Sequence, residues 1–272
     1  MKKIIKKIFP WAVSLKSKLR IRTFYKKMRR DGNNYSTEIS GLELPNVQFK
    51  DKFIMQNKNT GFDIKYQENK IFNLKLAAKT INNVVIKPGE VFSFWKLARY
   101  ADSEIPYKDG LVVVDGQLGT AYGGGLCHIS NLLCWLFLHS PLTFVERVGH
   151  KSREFPYPSD MLIGVDATIM EGLVDLKVKN ETNHTFQIQI DFDEKYMYGK
   201  LLTNNLNFNI YEIRNRNLSY TKINGETFEK VDIYRNVYNK NKKLLDSVFI
   251  YKNICKIGYE LEEITPLEKV AL

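Results

Sequence analysis

Tyr122-Gly123-Gly124-Gly125-Leu126-Cys127-His128, followed by the apolar run from Ile129 to Leu138, decides how this chain is read. Three consecutive glycines lose more backbone freedom on ordering than other residues would. They predict a tight turn, a hinge or a close backbone approach. The run behind them predicts a helix from Cys127 to Leu138, with Leu126, Ile129, Leu132, Leu133, Leu136 and Phe137 on its apolar face. So wide a face belongs to a central helix, not to an exposed one. Ser140-Pro141 ends it. Cys127 then stands at the helix start, where unpaired N–H groups and the helix dipole favour thiolate over thiol. It is a candidate nucleophile, and a core-filling cysteine is the alternative reading.

Reading outward, Leu74, Ala77, Ala78 and Ile81 predict a helix over 71–82 with Asn73 as its cap. Short strands are expected at 84–86, 90–95 and 111–114, the second entered through the Pro88-Gly89 turn. Downstream, 142–147, 165–169 and 174–178 read as strands, and 185–192 with 196–202 as a hairpin. After Asn204 the composition shifts toward Asn, Lys, Tyr and Glu, with strand-like runs at 207–213, 231–238 and 247–252. The expected fold is α+β: a mixed or antiparallel sheet packed against a central helix, with a β-rich C-terminal lobe. The expected division is a basic segment 1–30, a core domain 31–203 and a C-terminal extension 204–272.

The net charge of +11 is uneven. Residues 1–30 hold twelve Lys and Arg and no acid, so the rest carries 29 basic and 30 acidic side chains, a net of −1. A general nucleic-acid surface needs basic residues spread over the fold, so nucleic acid is not an expected partner. The basic segment, with Trp11, Leu15, Leu19, Ile21, Phe24 and Tyr25, suits an anionic membrane surface or a solvated helix packed on the domain. It contains neither a long apolar core before a cleavage site nor the roughly 18 to 20 apolar residues of a membrane span. Three cysteines, Cys127, Cys134 and Cys255, do not make a disulfide framework and suit a reducing compartment. The expected location is cytoplasmic, peripheral at the inner face of the membrane.

Several further motifs occur in a fixed order. Ile86-Lys87-Pro88-Gly89-Glu90-Val91-Phe92-Ser93-Phe94, the glycine loop ending in Cys127, Glu146-Arg147 with His150, and Gly164-Val165-Asp166-Ala167-Thr168 together resemble the VanW family. Asp175-Leu176-Lys177-Val178-Lys179-Asn180, Asn59-Thr60-Gly61-Phe62-Asp63 and Cys255-Lys256-Ile257-Gly258-Tyr259 extend the resemblance over nearly the whole chain. The resemblance implies an accessory role in glycopeptide (vancomycin) resistance or cell-wall metabolism. The chain departs from the family pattern at His128, where Gln is usual, and at His150-Lys151-Ser152, where His-Ser is common.

Cysteine catalysis needs a thiolate, a base and a group that orients the base. Cys127, His150 and Asp166 supply the three in an order that resembles NlpC/P60 and papain-like hydrolases, an analogy of layout. The expected chemistry is a hydrolase or acyltransferase acting on a peptidoglycan precursor. A non-catalytic protein binding such a precursor or a resistance partner is the alternative. Tyr122 and the amides around Gly124 and Gly125 are candidate substrate contacts. So are His128, whose helical position points about 100° away from Cys127, and Arg147, which suits a substrate carboxylate or a buried pair with Glu90 or Asp166. Cys134, seven residues on, reads as core. Cys127, His150 and Asp166 are also metal-ligand types, but closely spaced ligand pairs are absent, and neither metal nor cofactor is expected.

Overall fold

A computed structural model describes residues 10–57, 61–114, 117–156, 162–261 and 267–269. In chain order they form α1 (Pro10–Met28), β1 (Asn46–Ile54), α2 (Lys65–Ile81), β2 (Val85–Ile86), β3 (Val91–Ser93) and α3 (Phe94–Ala98). The hairpin β4 (Asp109–Val114) and β5 (Gln117–Tyr122) leads into α4 (Cys127–Leu138). Then follow β6 (Thr143–Glu146), β7 (Ser152–Arg153), β8 (Lys177–Lys179), β9 (Phe186–Phe192) and β10 (Tyr196–Thr203). The C-terminal part is β11 (Ile210–Ile223), β12 (Glu226–Tyr238), β13 (Leu244–Ile257) and β14 (Leu267–Lys269).

The fold is α+β. One antiparallel sheet runs β1-β10-β9-β2 and a smaller one β3-β8-β6, while β14-β11-β12-β13-β7 forms a mixed sheet with parallel edge strands. α4 is central: Ile129, Leu132, Leu133, Leu136 and Phe137 are all fully buried. Phe137 meets Phe92 of β3 edge-on, with ring centroids 5.0 Å apart. Ile213, Val231 and Ile233 of the C-terminal sheet join the same core, and β7 pairs with β13 through Ser152 and Arg153. Burying a side chain of this size contributes about 1.5–3 kcal/mol, so the densely buried α4 dominates the core.

Several elements differ from the sequence reading. α2 begins at Lys65, not at 71, because Asp63 accepts the Lys65 N–H at 2.9 Å and starts the helix within a polar stretch. Asn73 therefore lies in mid-helix, buried, and caps nothing. The strand expected over 90–95 stops at Ser93, whose hydroxyl accepts the Lys96 N–H and turns Phe94-Trp95 into the start of α3. Residues 165–169 and 174–176 form no ladder beyond isolated bridges at Thr168, Met170 and Val174. Their alternation reflects burial against α4, and side chains take over part of their backbone bonding. Ser130 Oγ donates to Ala167 O at 2.6 Å, and Asn131 Oδ1 accepts Ala167 N–H at 2.7 Å.

The helix α1 packs through Ile21, Phe24, Tyr25 and Met28 against the core, while Leu15 and Leu19 stay exposed among Lys16, Lys18, Arg20 and Arg22. No helix among the described residues is long and apolar enough to cross a membrane. Residues 1–9 of the basic segment, Asn59-Thr60 and Pro158 lie outside the described residues.

Candidate active site

The glycine loop is shaped by what lies against it. Gly124 is buried with its backbone pressed on that of Gly110 in β4, and a Cβ at either residue would collide with the other's backbone. Gly125 has φ +92° and packs on the stem of Lys70, so a side chain there meets both strain and a collision. Asn73 fastens the arrangement from α2. Its amide donates to Lys108 O at 2.8 Å and Gly124 O at 3.0 Å, and its oxygen accepts the Lys108 N–H at 2.8 Å. Tyr122 is exposed; its hydroxyl donates to Asp102 at 2.6 Å and accepts the Tyr107 N–H at 3.1 Å. The loop thus delivers Cys127 to the first turn of α4 in a fixed pose.

Cys127 Sγ lies 3.6 Å from Thr168 Oγ1 and 3.8 Å from Ile169 O. Among the described residues, the Leu126 and Cys127 amides have no acceptor, as expected of donors at a helix start. The residue is partly exposed, whereas Cys134 one helical face below is fully buried.

His150 connects this thiol to a buried carboxylate. Asp166 Oδ2 accepts the backbone N–H of His150 and pairs with its Nδ1, both at 3.1 Å. With Nδ1 engaged, Nε2 is the nitrogen left to serve Cys127. Asp166 is anchored in turn by Arg147, whose Nη2 donates to Oδ1 at 2.7 Å and whose Nε donates to the Asp166 carbonyl at 2.6 Å. Arg147 also donates to Asn253 Oδ1 at 2.9 Å and stacks over Tyr251 at 3.8 Å. Arg153 Nη2 stands 3.9 Å from Asp166 Oδ2, and its Nη1 pairs with Glu229 at 3.2 Å. The side chain of His150 is 30% exposed against 6% for Asp166, so solvent reaches the imidazole and not the carboxylate.

The charges follow from these contacts. Burial pushes the Cys127 thiol up, but the hydrogen bond and charge of His150, with help from Ile169 and Thr168, bring it below the ordinary thiol value. Burial disfavours His150 as a cation, yet Asp166 and then Cys127 raise it to about 10. Asp166 is held low against its own burial by His150, Arg147 and Arg153. Both shifts favour the thiolate–imidazolium form of the pair over the neutral one. Cys134, with burial as the leading cause, is pushed up to about 12, and Cys255 to about 11.

The sequence candidates thus divide by position. Cys127, His150 and Asp166 come together. Arg147 sits behind Asp166, only 5% exposed at its side chain, and pairs with it and not with Glu90, which bonds Ser36 and the Lys87 N–H. His128 turns toward β1, edge-on to Phe53 at 6.0 Å, and burial with the nearby Lys70 charge lowers it to about 3. Its Nε2 is buried and makes no hydrogen bond to another described residue. Gly124 and Gly125 face Gly110 and Lys70. Sequence reasoning passed over Arg153, Asn253 and Ser130. Thr168 ends the Gly164–Thr168 motif, but its contact with Cys127 crosses 41 residues and has no local sign. Nothing local marks Asn253, because its partner is 106 residues away.

Over residues 69–202 the chain matches the family described as VanW like protein. It is 45% identical over 263 residues to the vancomycin B-type resistance protein VanW of Enterococcus faecalis (strain ATCC 700802 / V583), with 96% of each chain covered. It is also 33% identical over 117 residues to the uncharacterized protein YoaR of Bacillus subtilis (strain 168), covering 43% of this chain and 37% of that one. No solved structure matches.

Proposed function

This chain belongs to the VanW family, and on that premise we propose that it is a cysteine-dependent hydrolase or acyltransferase acting on a peptidoglycan precursor, in the setting of glycopeptide resistance. The observation that carries this reading is the Cys127–His150–Asp166 arrangement, with its lowered thiol and raised imidazole. The Cys127 thiolate attacks an amide or ester carbonyl carbon, and the electron pair moves to the carbonyl oxygen. The role of oxyanion donors is assigned to the Leu126 and Cys127 amides, on the support that neither has an acceptor among the described residues. His150 gives its proton to the leaving nitrogen or oxygen as the carbonyl re-forms, leaving a thioester on Cys127 and a neutral imidazole. His150 then takes a proton from water, or from an acceptor amine, as that nucleophile displaces the thiolate. Asp166 fixes the ring and stabilises its cation, and Arg147 fixes Asp166.

The test is incubation of the full chain with a peptidoglycan precursor peptide, followed by mass spectrometry of the intact protein. A mass gain localised to Cys127 and missing in Cys127→Ala supports the reading. Full precursor turnover by Cys127→Ala overturns it. Activity should rise as the thiolate forms, below the ordinary thiol range, and fall as His150 loses its proton near pH 10.

The exposed Leu15 and Leu19, set among lysines and arginines on α1, favour contact with an anionic membrane surface at its cytoplasmic face. Such contact holds for a catalytic protein and for one that only binds a precursor. Co-sedimentation with anionic vesicles that is salt-sensitive and lost when the exposed Lys16, Lys18, Arg20 and Arg22 are changed to Gln supports it; equal binding by both proteins counts against it.

A further inference from the structure

A cleft that shares no residue with the Cys127 site opens where the end of α1, the segment 29–37 and α3 meet, with a volume of about 360 Å³. Its lining carries three cations, Arg29, Lys96 and Arg99, and no carboxylate. None of the three forms an ion pair with an acid among the described residues, whereas Arg147, Arg153 and Lys177 all do. Two carboxylates stand behind the lining: Asp31 accepts from the Tyr35 hydroxyl at 2.5 Å and the Asn33 N–H at 3.0 Å, and Glu171 accepts from the Tyr25 hydroxyl at 2.8 Å.

The cleft is also built. The Arg99 guanidinium lies 3.7 Å over the Tyr25 ring and 4.7 Å over the Tyr100 ring. Tyr25 is itself fixed, donating to Glu171 at 2.8 Å, with the Trp95 carbonyl 3.2 Å from its hydroxyl. Two ring faces hold the guanidinium, so its in-plane N–H groups keep a set direction and lose little entropy when they bind. A solvated surface arginine has no such support. The volume falls in the range of small-ligand sites, and the aromatic walls Tyr35 and Tyr100 suit the flat or sugar part of a ligand.

We propose that this cleft binds an organic phosphate or diphosphate, whose oxygens are held by Arg29, Lys96 and Arg99. Three cations with no ion-pair partner among the described residues match a phosphate better than a single carboxylate, and arginine suits phosphate through paired N–H donors. The site rests on no chemistry at Cys127. The ligand is either a soluble phosphate ester or a phosphorylated lipid headgroup reached from the membrane side of α1.

The probe is inorganic pyrophosphate, titrated calorimetrically into the full chain at fixed ionic strength, with wild type, Arg29→Gln and Lys96→Gln compared. Both substituted side chains are exposed, so both variants keep the fold. One-to-one binding, weakened about tenfold in each variant, is expected from the loss of one charge-assisted contact. No saturable binding, or affinities equal in all three proteins, overturns the site. Vesicles containing phosphatidate then separate the sources. If the two substitutions together abolish co-sedimentation, the ligand is a lipid headgroup. If they leave it unchanged while pyrophosphate binding falls, it is a soluble ester.

Discussion

Asp166 and Asp175 stand nine residues apart, both almost completely buried, at 4% and 0% exposure. Their surroundings differ in one respect that decides their roles. Asp166 faces cations: Arg147 at 2.7 Å, His150 at 3.1 Å and Arg153 at 3.9 Å. Asp175 faces neutral donors, the Ser93 hydroxyl at 2.5 Å and the Trp95 and Leu176 N–H groups at 3.1 and 2.9 Å. Its one cation, Lys177, is 3.9 Å away and is shared with Glu146. Burial raises both carboxyls; cations pull Asp166 back down, while Asp175 stays pushed up to about 6. Asp166 therefore holds His150 and favours its cation beside Cys127. Asp175 ties β3 and α3 to the strand that follows.

The contrast can be tested first at the thiols, where the largest effect is expected. Iodoacetamide at pH 7 should label Cys127 at least about 100-fold faster than Cys134 or Cys255, whose thiols are pushed up to about 12 and about 11. Asp166→Asn should remove most of that advantage, and Asp175→Asn little of it. Equal labelling of the three cysteines in wild type would sink the idea that Asp166 acts on a nucleophile.

Next comes stability. Arg147→Ala leaves a buried carboxylate short of its main cation and should cost about 3–5 kcal/mol in urea unfolding. Lys177→Ala should cost about 1 kcal/mol, because Asp175 is held chiefly by neutral donors. Similar losses in both variants would erase the distinction between the two carboxylates.

The pH dependence sharpens it further. The folded state binds the Asp175 proton more tightly than the unfolded chain does. This group therefore lowers stability by up to about 3 kcal/mol as pH rises from about 4 through 6. Asp175→Asn should flatten that decline. Asp166 has the opposite sign: its contribution is present above the ordinary carboxylate range and fades as pH falls through its lowered value. Unfolding curves of the Asn variant that keep the full wild-type slope between pH 4 and 6 would refute the assignment.

The smallest effect separates two serines. Ser93→Ala removes both the cap of α3 and a donor to Asp175, and should cost about 2 kcal/mol. Ser130→Ala removes a hydroxyl shared by the Cys127 and Ala167 carbonyls and should cost about 1 kcal/mol. It should also slow Cys127 labelling, which Ser93→Ala should leave alone.

How much of this was legible in the sequence follows from range. The helix Cys127–Leu138 was readable to its ends, because an apolar period bounded by glycines and Ser-Pro is a local signal. The hairpin of β9 and β10 was readable for the same reason. The α2 start was hidden in the polar stretch 65–70, and α3 was hidden in an apolar run that a single serine cap redirects. At the site, Cys127, His150 and Asp166 stood in separate motifs whose order suggested a meeting. Arg147 carried two readings, and only the geometry of Asp166, Asn253 and Tyr251 separates them. Arg153 and Asn253 were invisible because their partners come from β12 and from the stretch before β7.

The bond between Arg147 and Asn253 links the site to the order in which the chain is made. The support of Asp166 is complete only when β13, near the end of the chain, has left the ribosome and docked. A nascent or truncated polypeptide ending near residue 203 carries Cys127, His150 and Asp166 but lacks this outer brace. On the proposed reading, full activation of Cys127 then waits for the C-terminal sheet to dock.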